Sequence, residues 1–185
     1  MSTQTTRPSK TKDMVYISLF AALITICSWI SIPATVPFTL QTMAVFTAVG
    51  LLGGRRGTIS VLLYILLGAF GLPVFSGFRG GAGVLLGTTG GYIIGFLFTA
   101  LCMWAIEKLF GQSRVVLAIS MVVGLLVCYA FGTAWFMLVY LRSTGAVSLM
   151  TVLGWCVIPF LIPDAIKIAL AYFLSNVLRR FVNGN

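Results

Sequence analysis

Charge interrupts the apolar runs of this chain so rarely that a lipid bilayer is the only solvent that suits them. Six runs stand out: Met14–Ile32, about Leu40–Gly53, Thr58–Leu72, about Gly91–Ile106, Val115–Leu141, and a last one ending at Leu178. Charged residues make up 8% of the chain, against about 25% in a soluble domain. The chain therefore reads as an all-α integral membrane protein, a bundle of six transmembrane helices in residues 14–180, with short tails at 1–13 and 181–185. The second and third runs fall short of the ~20 residues that a simple span needs, so tilt, local thinning or loop penetration is expected there. Basic residues precede the first run, as in a signal peptide. The run is too long for one, and no small-x-small cleavage site follows it.

The Lys and Arg residues set the orientation. Arg7, Lys10, Lys12, Arg55, Arg56, Lys108, Arg114, Arg179 and Arg180 fall on one side of the membrane, and Arg79 and Arg142 on the other. That bias puts both termini in the cytoplasm, which six spans allow. The formal net charge of +9 is then a matter of topology and of contact with the lipid bilayer, not of nucleic acid.

Several chemistries drop out. With no histidine there is no Ser-His or Cys-His catalysis and no His-ligated metal. Gly53-Gly54-Arg55-Arg56-Gly57-Thr58 has neither the spacing nor the lysine of a P-loop, so the chain does not hydrolyse ATP by itself. Cys27, Cys102, Cys128 and Cys156 form no CxxC pair and read as apolar packing residues.

Two segments depart from simple spans. Ten of the 20 glycines lie between Gly68 and Gly95, interleaved with Phe70, Phe75, Phe78 and Leu85. Such a segment buries its apolar side chains against the bundle as a re-entrant or lid-like loop. The other, Pro33–Thr42, is stiffened by two prolines and carries Phe38, Thr39, Gln41 and Thr42. By parity both face outside, giving structured extracellular loops 1 and 3.

Asp164 and Lys167 are the costly residues. Asp13 and Glu107, the other two acids, sit near membrane boundaries, whereas this pair lies inside the last apolar run. A charge at the bilayer centre costs roughly 2.5–3.5 kcal/mol even on lenient scales. The i, i+3 spacing puts both on one helix face. A single helix from Leu149 to Leu178 would measure about 45 Å, so Pro159 and Pro163 are expected to break or kink it. Counting back from Arg179 places Lys167 about 18 Å and Asp164 about 22 Å from the inner interface, in the outer half. The pair is either a polar anchor for a ligand or a self-neutralising ion pair. Trp29, Trp135 and Trp155 map to the same half, as an interfacial belt or as pocket walls. In the first run Ser18, Ala21, Ala22 and Thr25 make two small-xxx-small steps that permit close helix approach.

Across PFTLQT (37–42), LLGGRRG (51–57), YILLGAFGLPVFSG (64–77), GTTGGYIIGF (87–96) and IPDAIKIALA (162–171), the chain resembles the BioY family. These are biotin-binding S components of energy-coupling factor (ECF) transporters. Thr88 departs from the family's Gly-Pro-Thr-Gly-Gly-Tyr, and its Ala-xxx-Ala docking motif appears here only as the Ser18/Ala22 and Ala21/Thr25 pairs. The resemblance implies a multi-pass protein of a prokaryotic cell membrane that captures biotin from outside. It also implies partners, namely an ECF transmembrane coupling protein and two cytoplasmic ATPase subunits, with no cofactor, no metal and no catalytic residue.

Biotin offers two ureido N–H donors, a polarised carbonyl, an apolar ring and a carboxylate. Asp164 can accept a ureido N–H, and Lys167 can donate to the ureido oxygen or meet the carboxylate. Gln41, Thr39, Thr89 and Tyr92 are candidates for further hydrogen bonds. Phe38, Phe75 and Trp135 are candidates to cover the ring. Arg79 either pairs with the carboxylate or is a solvated loop charge. The alternative function is a self-sufficient secondary vitamin transporter with Asp164 as proton carrier, although no second intramembrane acid and no inverted repeat accompany it. An intramembrane enzyme would need a Ser–Lys or Asp–Asp arrangement, and neither is found.

Overall fold

A computed structural model describes residues 10–182, with side chains to Arg179. Arg7, the side chain of Arg180 and residues 183–185 lie outside the described residues. The chain runs α1 (Lys10–Trp29), a two-stranded hairpin β1 (Ser31–Ile32) and β2 (Phe38–Thr39), α2 (Gln41–Leu52), α3 (Gly54–Ala69), α4 (Ala82–Leu86), α5 (Gly90–Phe110), α6 (Arg114–Ser143), α7 (Leu149–Cys156), a 3-10 turn (Ile158–Phe160) and α8 (Leu161–Val182). The hairpin is antiparallel, with Ser31 opposite Thr39. Since α1 begins at Lys10, the end of the expected N-terminal tail is helical.

Among the described residues, four stretches are long and apolar enough to cross a membrane: Lys10–Trp29, Gly90–Phe110, Arg114–Ser143, and Leu149–Arg179 taken through its break. α2 and α3, with 12 and 16 residues, rise only about 18 and 24 Å. They meet at Gly53, whose φ of +84° suits glycine. The Gly54 N–H, one of the free donors at the start of α3, is accepted by Glu107 Oε2 at 2.6 Å, where the helix dipole also favours a carboxylate. Gln112 donates to the other oxygen of Glu107. Glu107 is thus occupied by structural work, tying the α2–α3 corner to the end of α5. Nearby, Arg56 pairs with Asp13 of α1 at 2.8 Å.

The last apolar run breaks as its prolines require. α7 stops at Cys156, Pro159 sits in the 3-10 turn, and Pro163 falls in the first turn of α8 with Asp164 next to it. A missing N–H costs nothing in that turn, because no carbonyl of its own helix awaits it.

The glycine-rich segment is shorter than its composition suggests, because α5 already begins at Gly90. Its first glycines serve helix packing. A Cβ on Gly91 would lie 2.3 Å from Trp135 Cβ on α6, and one on Gly132 of α6 would lie 2.3 Å from the Tyr92 ring on α5. Each helix supplies a glycine where its neighbour supplies a ring. Gly132→Ala is accordingly expected to destabilise the protein by about 1–3 kcal/mol through overpacking. Gly154→Ala, with nothing within 4 Å of the new methyl, is expected to be near neutral; thermal unfolding in detergent compares the two.

Large apolar side chains such as Leu19, Ile26, Leu126 and Phe173 stay exposed around the bundle, as lipid contact requires. Inside, several buried hydroxyls are satisfied by carbonyls: Thr58 donates to Gly54 O at 2.7 Å and Thr99 to Gly124 O at 2.9 Å. Basic residues gather at the end away from the hairpin, where Arg55 and Arg56 open α3, Lys108 closes α5 and Arg114 opens α6.

Candidate functional site

At the hairpin end, both unusual loops converge on one cavity of about 700 Å³ including its open mouth. The first loop contributes Val36, Pro37, Thr39, Gln41 and Thr42, and the glycine-rich segment contributes Phe75, Ser76, Arg79, Val84 and Thr89. Tyr92, Ile93 and Phe96 of α5, Leu125, Cys128 and Tyr129 of α6, Cys156, Phe160 and Asp164 complete the wall. A mainly apolar and aromatic wall with a few convergent polar groups is the pattern of a small-molecule site.

The glycine-rich segment is held over this cavity by specific bonds. Ser28 Oγ donates to Val74 O at 2.5 Å and Trp29 Nε1 to Pro73 O at 2.9 Å. Trp29 also stacks on Phe78 with ring centroids 5.0 Å apart, and Phe78 is, among the described residues, the non-glycine residue with positive φ, at 56°. Phe75 and Arg79 form a bridge across the turn. Phe75 is buried edge-on against Tyr64 and over Gly68, where no Cβ would fit. Trp135 Nε1 donates to Gly87 O at 3.0 Å. Trp29→Phe keeps an aromatic ring but loses the N–H, so faster amide exchange over residues 72–81 is expected, by about fivefold for a bond worth ~1 kcal/mol. Hydrogen-exchange mass spectrometry reads this directly.

Seven of the ten residues expected to bind ligand line the cavity: Asp164, Gln41, Thr39, Arg79, Thr89, Tyr92 and Phe75. Lys167, Phe38 and Trp135 stand behind the wall. Lys167 Nζ lies 2.8 Å from Asp164 Oδ1 and 4.0 Å from the centroid of the Phe38 ring, which in turn stacks on Phe160. The lysine thus meets the cavity through Asp164, and Phe38 covers the ammonium. Trp135, expected to cover a ligand ring, is used to anchor the glycine-rich segment and to pack on Gly91.

Sequence reasoning passed over Tyr129 and Tyr64. The Tyr129 hydroxyl donates to Asp164 Oδ2 at 2.6 Å. Gln41 Nε2 donates to the Tyr64 hydroxyl at 2.5 Å, and Gln41 Oε1 accepts from Thr39 Oγ1 at 2.9 Å. Tyr92 Oη and Thr133 Oγ1 share a bond of 3.1 Å. Both tyrosines read as core aromatics in an apolar helix, and only their hydroxyl partners mark them.

A family model described as the BioY family matches residues 1–184. The chain belongs to the BioY family. Its relatives include the biotin transporter BioY of Thermotoga maritima, 37% identical over 170 residues, covering 91% of this chain and 96% of that protein. The biotin transporter BioY2 of Lactococcus lactis is 33% identical over 185 residues, covering 95% and 98%. A solved structure, the S-component for biotin from an ECF-type ABC transporter, superposes with a TM-score of 0.82 at 32% identity, covering 92% of each chain. BioY is a family of transporters, so this member is a multi-pass membrane protein and not an enzyme.

The four small residues of the first helix in this BioY chain divide into two pairs. Ala21 and Thr25 are buried, whereas Ser18 and Ala22 are exposed. All four border an open groove between α1 and α3, together with Ile26, Trp29, Leu63 and Leu67.

Proposed function

We propose that this chain is the biotin-binding subunit of an ECF transporter, capturing biotin from outside for uptake driven by partner ATPases. The observation that carries the reading is the polarity gradient of the cavity in a BioY-family chain. Asp164 and Tyr129 form a hydrogen-bonded acidic floor, and Arg79 stands on the loop that forms part of the cavity wall. The ureido group fits the floor, where one of its N–H donors meets the Asp164 carboxylate. The carboxylate end then points toward Arg79, and the apolar ring lies among Phe75, Phe96 and Phe160.

The membrane arrangement follows from the same reading. α2 and α3 act as short spans alongside the four longer ones, giving six crossings with both termini in the cytoplasm. The basic residues at the end away from the cavity support that orientation, and a prokaryotic plasma membrane is its setting. Ser18 and Ala22 are the exposed small residues at which the ECF transmembrane coupling protein docks, with the two ATPases beneath it.

Proton-driven transport by Asp164 is disfavoured by its partners. Both carboxylate oxygens already accept hydrogen bonds, from Lys167 and from Tyr129, so a carrier role would require breaking one of these buried contacts in every cycle. Uptake of labelled biotin into vesicles separates the two readings. Uptake that needs ATP, the coupling protein and the ATPases is expected. Uptake by this chain alone, collapsing with an uncoupler, would reverse the conclusion.

A further inference from the structure

The cavity residue Gln41 is backed by buried hydroxyls that do not themselves reach the cavity. Its Nε2 donates to Tyr64 Oη at 2.5 Å, and the Tyr64 phenol is also hydrogen-bonded to Ser28. Ser28 Oγ lies 2.7 Å from Thr25 O and 2.5 Å from Val74 O. Tyr64 and Ser28 are fully buried, and neither lines the cavity.

The two ends of a carboxamide have nearly the same shape, so the hydrogen-bond network decides which one faces a ligand. The order of donors follows from the far end of the row. A backbone carbonyl only accepts, so both carbonyls beside Ser28 draw on its single proton. Ser28 Oγ must then accept from the Tyr64 phenol. The phenol, with its proton given to Ser28, must accept from Gln41, and only the N–H₂ end of the amide can supply that bond. The oxygen end turns to Thr39, itself a cavity residue, which donates to it at 2.9 Å. Gln41 Oε1 keeps one lone pair for a ligand.

From this row of donors we infer that Tyr64 and Ser28 are positioning residues for ligand recognition. They fix Gln41 with its amide oxygen as the acceptor at this edge of the cavity, which suits a ligand N–H and repels a carboxylate. The inference rests on the biotin reading of the cavity, in which a ureido N–H is the donor that meets this oxygen. It goes beyond that reading in giving binding roles to two residues that cannot touch the ligand. Packing alone does not account for the phenol hydroxyl, since a phenylalanine would fill the same volume.

The test is a double-mutant cycle on biotin affinity. Dissociation constants are measured for the purified chain, Tyr64→Phe, Gln41→Met and the double variant, with folding checked by thermal unfolding. Tyr64→Phe frees the carboxamide to turn and is expected to weaken biotin binding by about tenfold. In the Gln41→Met background, where no amide remains to be oriented, the same change is expected to cost about twofold or less. An equal loss in the two backgrounds overturns the proposal, since a merely structural tyrosine would act alike in both. Gln41→Met binding biotin as tightly as the parent overturns it as well. Should Tyr64→Phe fail to fold, Ser28→Ala carries the same comparison, because it removes the acceptor of the phenol proton. A larger loss in the parent than in the Gln41→Met background then supports the proposal. An equal loss, as the missing bond to Val74 alone would give, overturns it. Absence of biotin binding to the unmodified chain would instead strike at the biotin reading itself.

Discussion

Lys167→Ala is expected to be the most destabilising single change in this chain, by about 3–5 kcal/mol. Both members of the Asp164–Lys167 pair are buried, with side-chain exposures of 4% and 5%. At 2.8 Å and an effective dielectric of ~20, their attraction is about 6 kcal/mol. Desolvating two ions costs several kcal/mol each. The Tyr129 hydrogen bond and the Phe38 ring contact add about 2 kcal/mol apiece. Gain and cost nearly cancel, so the intact pair stabilises the fold little. Removing the lysine leaves the cost without the gain. Replacing both by apolar residues, as Asp164→Leu with Lys167→Met, is therefore expected to recover most of the lost stability. Thermal unfolding in detergent distinguishes these outcomes. A Lys167→Ala protein as stable as the parent would show that the carboxylate is not buried as described.

The second large effect concerns binding. Asp164→Asn preserves shape but puts an N–H₂ donor where an acceptor stood. It also leaves the Lys167 ammonium without a counter-charge. Hydrogen bonds to charged groups are worth about 1.5–3 kcal/mol, and a donor facing a donor adds repulsion, so biotin affinity is expected to fall at least about 100-fold. The doubly apolar variant is expected to bind no biotin while remaining folded. Stability and binding would then part company at one pair of residues, which separates a ligand anchor from a structural ion pair.

The sequence exposed the acid-base pair because charge is so rare in its surroundings, and exposed the two loops because their composition fits neither a span nor a linker. Prolines 159 and 163 announced the break that brings Asp164 to the start of α8. Rotation about the helix was harder to read. Residues spaced i, i+3 lie about 60° apart around the axis, enough for Asp164 to face the cavity while Lys167 turns behind it toward Phe38. Tyr129 was hidden for a related reason. Its hydroxyl matters only because α6 meets α8 at Asp164, a contact between residues 35 positions apart in the chain. For Trp135, depth along the membrane says nothing about which helix lies opposite. Gly91 supplies the gap that takes its ring, and Gly87 takes its N–H. By composition the glycines of 87–95 read as loop, although several serve close packing of α5 on α6.

Equilibrium binding of radiolabelled biotin to the purified chain and to Asp164→Asn, with folding of both verified by thermal unfolding, tests the central claim most directly. Saturable binding of one biotin per chain, lost or reduced at least about 100-fold in the folded variant, is the predicted result. Equal affinity in the two proteins would contradict the assignment of the cavity floor to biotin.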